Sequence, residues 1–200
     1  MAKANWVKVN PASGSGNATV NVSSTAAHTG RKARTSVLTW KAANVEDVVR
    51  NVSQAGKPEY VDIDDAATSA SSGQIVTISG VSNSARLTFS LGTGSLGVTL
   101  PTTYIANSVT TSNGAAINGD PGASSEYNFS ITVNVPGNTG TTAISRQIIV
   151  TDEAGHKDVC TLTLAAGAPY ITIEMSSIEL DYLGTPVAVA VKSNTTWTVE

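Results

Sequence analysis

Gly92-Thr-Gly-Ser-Leu-Gly97 has the G-x-G-x-x-G spacing, in which glycines let backbone amides approach a pyrophosphate at the start of a helix. Here Val98-Thr-Leu-Pro101 follows, and a β-branched run ending in proline starts no helix, so the match reads as a glycine-rich turn between strands. Asp62, Asp64 and Asp65 gather carboxylates of the kind that hold calcium, but no glycine-spaced loop or distant glutamate completes a ligand set. They read as a solvated strand end. His28 and His156 fall in polar turns with no adjacent cysteine, aspartate pair or nucleophile-elbow serine. The single cysteine, Cys160, shares a strand face with Leu162 and Leu164 at period two, which suits a small buried hydrophobe. The 15 acidic residues are too dispersed to announce a glycosidase pair. No catalytic residue, cofactor site or metal ligand is expected, and no enzyme activity.

The elements that would carry these residues are strands. With 40% hydrophobic and 14% charged residues the chain can bury a core, and its abundance of Gly, Ser, Thr, Asn and Val favours β-structure with tight turns. A net charge of -3 gives no basic field for phosphate backbones, so nucleic acid is not an expected partner. No run approaches the roughly 18 apolar residues of a membrane span. Residues 1–8 carry no signal-peptide apolar core, so synthesis in the cytoplasm is expected, with no membrane partner.

Ala18, Val20 and Val22 alternate after a glycine turn and predict a half-buried strand. Residues 33–41 and 47–54 look like the arms of a hairpin, although Asn44 would equally cap a short helix. An internal repeat favours the hairpin. Thr19-Val-Asn-Val22 recurs as Thr132-Val-Asn-Val135, 113 residues on, and Ser82-Asn83 recurs as Ser193-Asn194, 111 residues on. Pro58-Glu-Tyr-Val-Asp-Ile63 recurs as Pro169-Tyr-Ile-Thr-Ile173, and the turn Asp152-Glu-Ala-Gly155 matches the Asn44 region. Arg146 answers the basic cluster 31–34, and residues 148–152 answer 37–41, which sets Val37 against Ile148. Within 58–168, strands are expected near 61–64, 74–79, 86–91, 104–106, 127–135, 146–151 and 157–164, with 108–125 as a long surface loop. A period of about 110 residues suits one immunoglobulin-like domain.

Trp6, Asn10-Pro-Ala-Ser-Gly-Ser-Gly16, Thr19-Val-Asn-Val22, Arg31-Lys-Ala-Arg34, a β-run and Val52-Ser-Gln-Ala-Gly56 stand in an order that resembles the C-terminal two thirds of a BACON domain. The family's opening strands are not ahead of them. They close the chain instead, as Ile171-Thr-Ile-Glu174, Ile178-Glu-Leu-Asp-Tyr182 and Val187-Ala-Val-Ala-Val-Lys-Ser-Asn-Thr-Thr-Trp-Thr-Val-Glu200. BACON domains are immunoglobulin-like sandwiches found in Bacteroidetes secreted enzymes and in crAss-like phages. The resemblance therefore implies an all-β chain of immunoglobulin-like (BACON-like) β-sandwiches. A complete domain, 58–168, would be flanked by the C-terminal part of another, 1–57, and by the N-terminal strands of another, 169–200.

Each flank alone would present an open sheet edge and half a core. Completion could come from the other end of the same chain, from the next copy, or from a third protein. Short linkers between opposite poles of a sandwich make closure within one chain strained. In strand complementation, Val187, Val189, Val191, Trp197 and Val199 of one copy would lie beside Trp6, Val20, Val22 and Val37 of the next. The family likeness implies a phage virion structural protein that decorates or cements the capsid exterior and is made in the bacterial host cytoplasm. Its partners would be other copies of itself and the major capsid protein or other virion proteins. The alternative is a carbohydrate-binding adhesion module for mucin or other host-surface glycans, since exposed aromatic rings stack on sugars. Trp6 and Trp197 occupy the family's interior tryptophan positions, which leaves Trp40 for glycan contact.

Overall fold

A computed structural model describes residues 3–200. Residues 3–57 hold two separate hairpins. In one, β1 (Val7–Asn10) pairs antiparallel with β2 (Asn21–Ser24); in the other, β3 (Arg34–Trp40) pairs with β4 (Val48–Gln54). Asn44, at φ 59°, turns the second hairpin through the left-handed region that asparagine tolerates. The hairpin reading of residues 33–54 therefore holds against the helix.

Nine strands follow: β5 (Val61–Ile63), β6 (Ala66–Ser69), β7 (Gln74–Ser82), β8 (Leu87–Gly94), β9 (Thr103–Ala106), β10 (Val109–Ser112), β11 (Tyr127–Val135), β12 (Ile144–Asp152) and β13 (Lys157–Leu164). They form a five-stranded sheet ordered β10-β9-β11-β7-β5 and a four-stranded sheet ordered β6-β13-β12-β8. Every pairing is antiparallel except β6 with β13. The two sheets enclose one core, a β-sandwich. Period-two alternation aims Tyr127, Phe129, Ile131, Val133 and Val135 of β11 inward, against Ile148 and Val150 of β12 and Cys160, Leu162 and Leu164 of β13. Phe89 packs on Tyr104 and Phe129 at ring-centroid distances of 5.1 and 5.8 Å. Cys160 is fully buried, and desolvation lifts its thiol pKa to about 11.

The sequence reading needs three corrections here. Residues 108–125 are not a plain surface loop, because β10 lies inside them and Ile117 and Gly122 are buried. Asn107 and Ser108, at φ 48° and 65°, supply the tight left-handed turn that folds β10 back onto β9. β6 was not expected. The run through Ala18, Val20 and Val22 becomes strand only from Asn21, and β2 is exposed along its whole length.

Beyond the sandwich, β14 (Ile171–Ile173) pairs antiparallel with β15 (Val191–Ser193). Neither strand joins any sheet of residues 3–57. No helix among the described residues is long and apolar enough to cross a membrane.

Candidate assembly interface

The flanking hairpins repeat the pairing of the sandwich in register. β3 and β4 pair Arg34 with Gln54 and Leu38 with Arg50, while β12 and β13 pair Ile144 with Leu164 and Ile148 with Cys160. The register thus sets Leu38, not Val37, at the position of Ile148, one residue from the correspondence read in the sequence. Leu38 is the buried residue of β3, and Val37 faces the other way, half-buried. At the other end, β14 and β15 pair Ile171 with Ser193 and Ile173 with Val191, as β5 and β7 pair Val61 with Ser82 and Ile63 with Gly80.

Leu38 apart, apolar repeat positions in the flanks have lost cover. Ile63 is 1% exposed and Ile173 is 50% exposed; Val150 is fully buried and Trp40, its counterpart, is 40% exposed. Val9, Ala18, Val20, Leu38 and Trp40 instead line an open groove of about 710 Å³ between the two N-terminal hairpins. Val20 and Val22 follow the Thr-Val-Asn-Val motif, whose partners Val133 and Val135 are buried. On the tail, Val187, Trp197 and Val199 are exposed, and Val189 and Val191 are half-buried. The chain therefore does not bring the tail residues to Trp6, Val20, Val22 or Val37. Trp6 is half-buried under the Arg34 guanidinium, 4.7 Å above the ring, and Arg34 donates to the Gln54 side-chain oxygen Oε1 at 2.9 Å.

A repeated joint fixes both flanks to the sandwich, and its function is not evident in the sequence. The Asn83 side chain accepts from the Tyr60 amide at 3.0 Å and donates to the carbonyls of Thr29 and Pro58 at 3.2 and 3.1 Å. Asn194 accepts from Tyr170 N–H at 2.9 Å and donates to the carbonyls of Thr139 and Ala168 at 2.7 and 3.0 Å. Gly30 accepts from Lys57 N–H as Gly140 accepts from Gly167 N–H. The recurrence of Ser82-Asn83 as Ser193-Asn194 was the available signal. Each asparagine ties the start of one repeat to the end of the repeat before it.

At the first joint Arg31 adds a fork. Its guanidinium donates to both Asp120 carboxylate oxygens, at 2.5 and 2.6 Å, and to the Asn83 carbonyl at 3.1 Å. That contact raises the Arg31 pKa, and the same hydrogen bonds hold Asp120 below the usual carboxylate range. Glycine is required at the joint by close approach, since a Cβ on Gly122 would run into the Asn83 carbonyl and one on Gly30 into the Ser124 backbone.

The groups considered for chemistry stay dispersed. Gly92 and Leu96 offer their carbonyls to the Arg146 guanidinium at 3.2 and 2.9 Å, so the glycine-rich turn is a β-edge feature. The Asp64 carboxylate accepts from Ser79 N–H, and His156 Nδ1 lies 2.8 Å from the Asp152 carboxylate within one turn. Among the described residues no group of three His, Cys, Asp or Glu could hold a metal ion.

No family model matches this chain, and no curated protein matches it. Among solved structures it is similar to an endo-fucoidan hydrolase from glycoside hydrolase family 107, at 8% identity and a TM-score of 0.32 over 82% of this chain. The chain spans 22% of that protein's length. A likeness of this size fixes neither fold nor activity.

Proposed function

We propose that the protein is a non-catalytic structural subunit that assembles head to tail, each copy's tail completing the sandwich that the next copy's N-terminal hairpins leave open. The observation that carries this reading is the groove. Ala18, Val20, Leu38 and Trp40 of its lining stand at repeat positions whose counterparts, Ile131, Val133, Ile148 and Val150, are buried in the complete sandwich, and the opposite end of the chain holds the matching strands. Full burial of an exposed valine or isoleucine contributes about 1.5–3 kcal/mol, less where the side chain is already half-buried, and main-chain pairing adds direction to the contact. A contact between different faces of identical subunits is heterologous, so it propagates into a ring or a linked array.

The setting we propose is the exterior of a phage capsid, where interlocked immunoglobulin-like, BACON-like domains would decorate or cement the major capsid protein or other virion proteins. That part rests on the motif resemblance. The glycan alternative rested on Trp40 as a free platform; as a groove-lining counterpart of Val150, Trp40 belongs to the interior that an incoming strand covers.

Multi-angle light scattering tests the assembly. The full chain is expected above monomer mass, and a variant ending at residue 168 as a monomer. Equal monomer masses for both would reject it. Recovery of the chain from purified phage particles in fixed ratio to the major capsid protein tests the setting.

A further inference from the structure

The complete sandwich supplies a pattern for the missing contact. β11 pairs with β7 so that Val133 faces Val76, Ile131 faces Ile78 and Phe129 faces Gly80. Gly80 is required there, because a Cβ on it would collide with the Phe129 ring and with the Asp62 carbonyl. Following the Thr-Val-Asn-Val repeat, Val133, Ile131 and Phe129 correspond to Val20, Ala18 and Gly16. Following the Ser-Asn repeat and the β14–β15 register, Val76, Ile78 and Gly80 correspond to Val187, Val189 and Val191. The large and small partners have changed sides: where the sandwich sets Phe129 over Gly80, the split halves carry Gly16 and Val191.

We infer that a second copy's residues 185–193 occupy the groove in one register, antiparallel to residues 16–22, with Val187 opposite Val20, Val189 opposite Ala18 and Val191 seated over Gly16. This rests on the head-to-tail reading and adds its specificity. Gly16 has φ +66° and no atom within 4 Å of a Cβ built on it, so the space above it is vacant in the single chain. The inversion also keeps strands from trading places. A tail strand cannot replace β7, since the Val191 side chain would meet Phe129 where only glycine fits. One glycine on each seam, on opposite strands, therefore decides which strand completes which sandwich.

The test is a size reversal in the full-length chain, read as the dissociation constant of self-association by analytical ultracentrifugation. Gly16→Phe is expected to weaken association about a hundredfold or more, because an overpacked seam forces both strands apart. Gly16→Phe together with Val191→Gly recreates the Phe-over-Gly pair of the sandwich and is expected to return association to within about tenfold of the unaltered protein. Any backbone strain from Phe at position 16 is common to both variants, so rescue reports the pair itself. In parallel, Val20→Cys with Val187→Cys is expected to give intermolecular disulfide ladders, the native Cys160 being buried. Unaltered association of Gly16→Phe, failure of the double variant to recover, or a disulfide confined to monomers would overturn the inference while an assembling unaltered chain leaves the head-to-tail reading standing. A monomeric unaltered chain would overturn both.

Discussion

Val135 and Val22 end the same Thr-Val-Asn-Val run, yet the first is 2% exposed and the second 42%. Alternation selects which side chains share a face; it does not provide the facing sheet. Between β5 and β13 nine strands close around Phe129 and Leu162. In the flanks the same pairings recur as isolated two-stranded ribbons, which are marginal in water on their own. The difference teaches that hairpin register is a local property, whereas burial belongs to the assembled pair of sheets. The asparagine joints then give the ribbons a fixed seat on the sandwich without giving them a core.

The comparison predicts opposite responses to core truncation. Phe129→Ala is expected to cost about 3–5 kcal/mol in urea denaturation of the sandwich. Val22→Ala is expected to stay within about 0.5 kcal/mol, because Val22 is 42% exposed and its side chain has little cover to lose. An equal cost at both positions would mean that the flank is already closed.

The joints come next. Asn83→Ala leaves the Thr29 and Pro58 carbonyls without their donor and is expected to cost about 1–3 kcal/mol, with faster amide exchange at Lys57 and Tyr60. Asn194→Ala, at the less enclosed joint, is expected to cost about 1 kcal/mol or less and to free the β14–β15 ribbon. Equal effects would show that the second seat is as enclosed as the first.

Acid tests the Arg31–Asp120 fork. Because the fork lowers the Asp120 pKa in the docked state, its contribution is complete above the ordinary carboxylate value of about 4 and is lost as pH falls through the lowered value. Asp120→Asn should remove that acid-dependent step from a pH series of limited proteolysis at residues 29–32, at a cost of about 1–2 kcal/mol. Smallest of all, Lys41→Ala, which breaks an exposed pair with Asp47 beyond the ends of the β3–β4 hairpin, should move thermal stability by no more than about 0.5 kcal/mol.

The strands that alternate strongly, β7, β11, β12 and β13, were legible because each carries its own inward row. β6, Ala-Ala-Thr-Ser, has no such row, and its parallel pairing with β13 depends on residues almost a hundred positions away. β10 was hidden by turn chemistry, since Asn107-Ser108 adopts the two-residue turn usually written Asn-Gly. In the flanks, the repeat alone slipped by one at Val37, and only the hairpin register sets Leu38 against Ile148. The role of Asn83 was not legible, because its amide reaches Thr29, 54 residues earlier, across a junction no local pattern marks.

One more property follows from the parallel contact of β6 with β13. The chain enters the sandwich just before β5 and leaves just after β13, so tension applied along the polypeptide draws these neighbours in opposite directions. Their bonds, with those from Thr161 N–H to the Asp65 carbonyl and Ala165 N–H to the Ser69 carbonyl, bear the force together in shear and do not open one after another like a zipper. A pulled array of such units would yield at its ribbons long before its sandwiches tear.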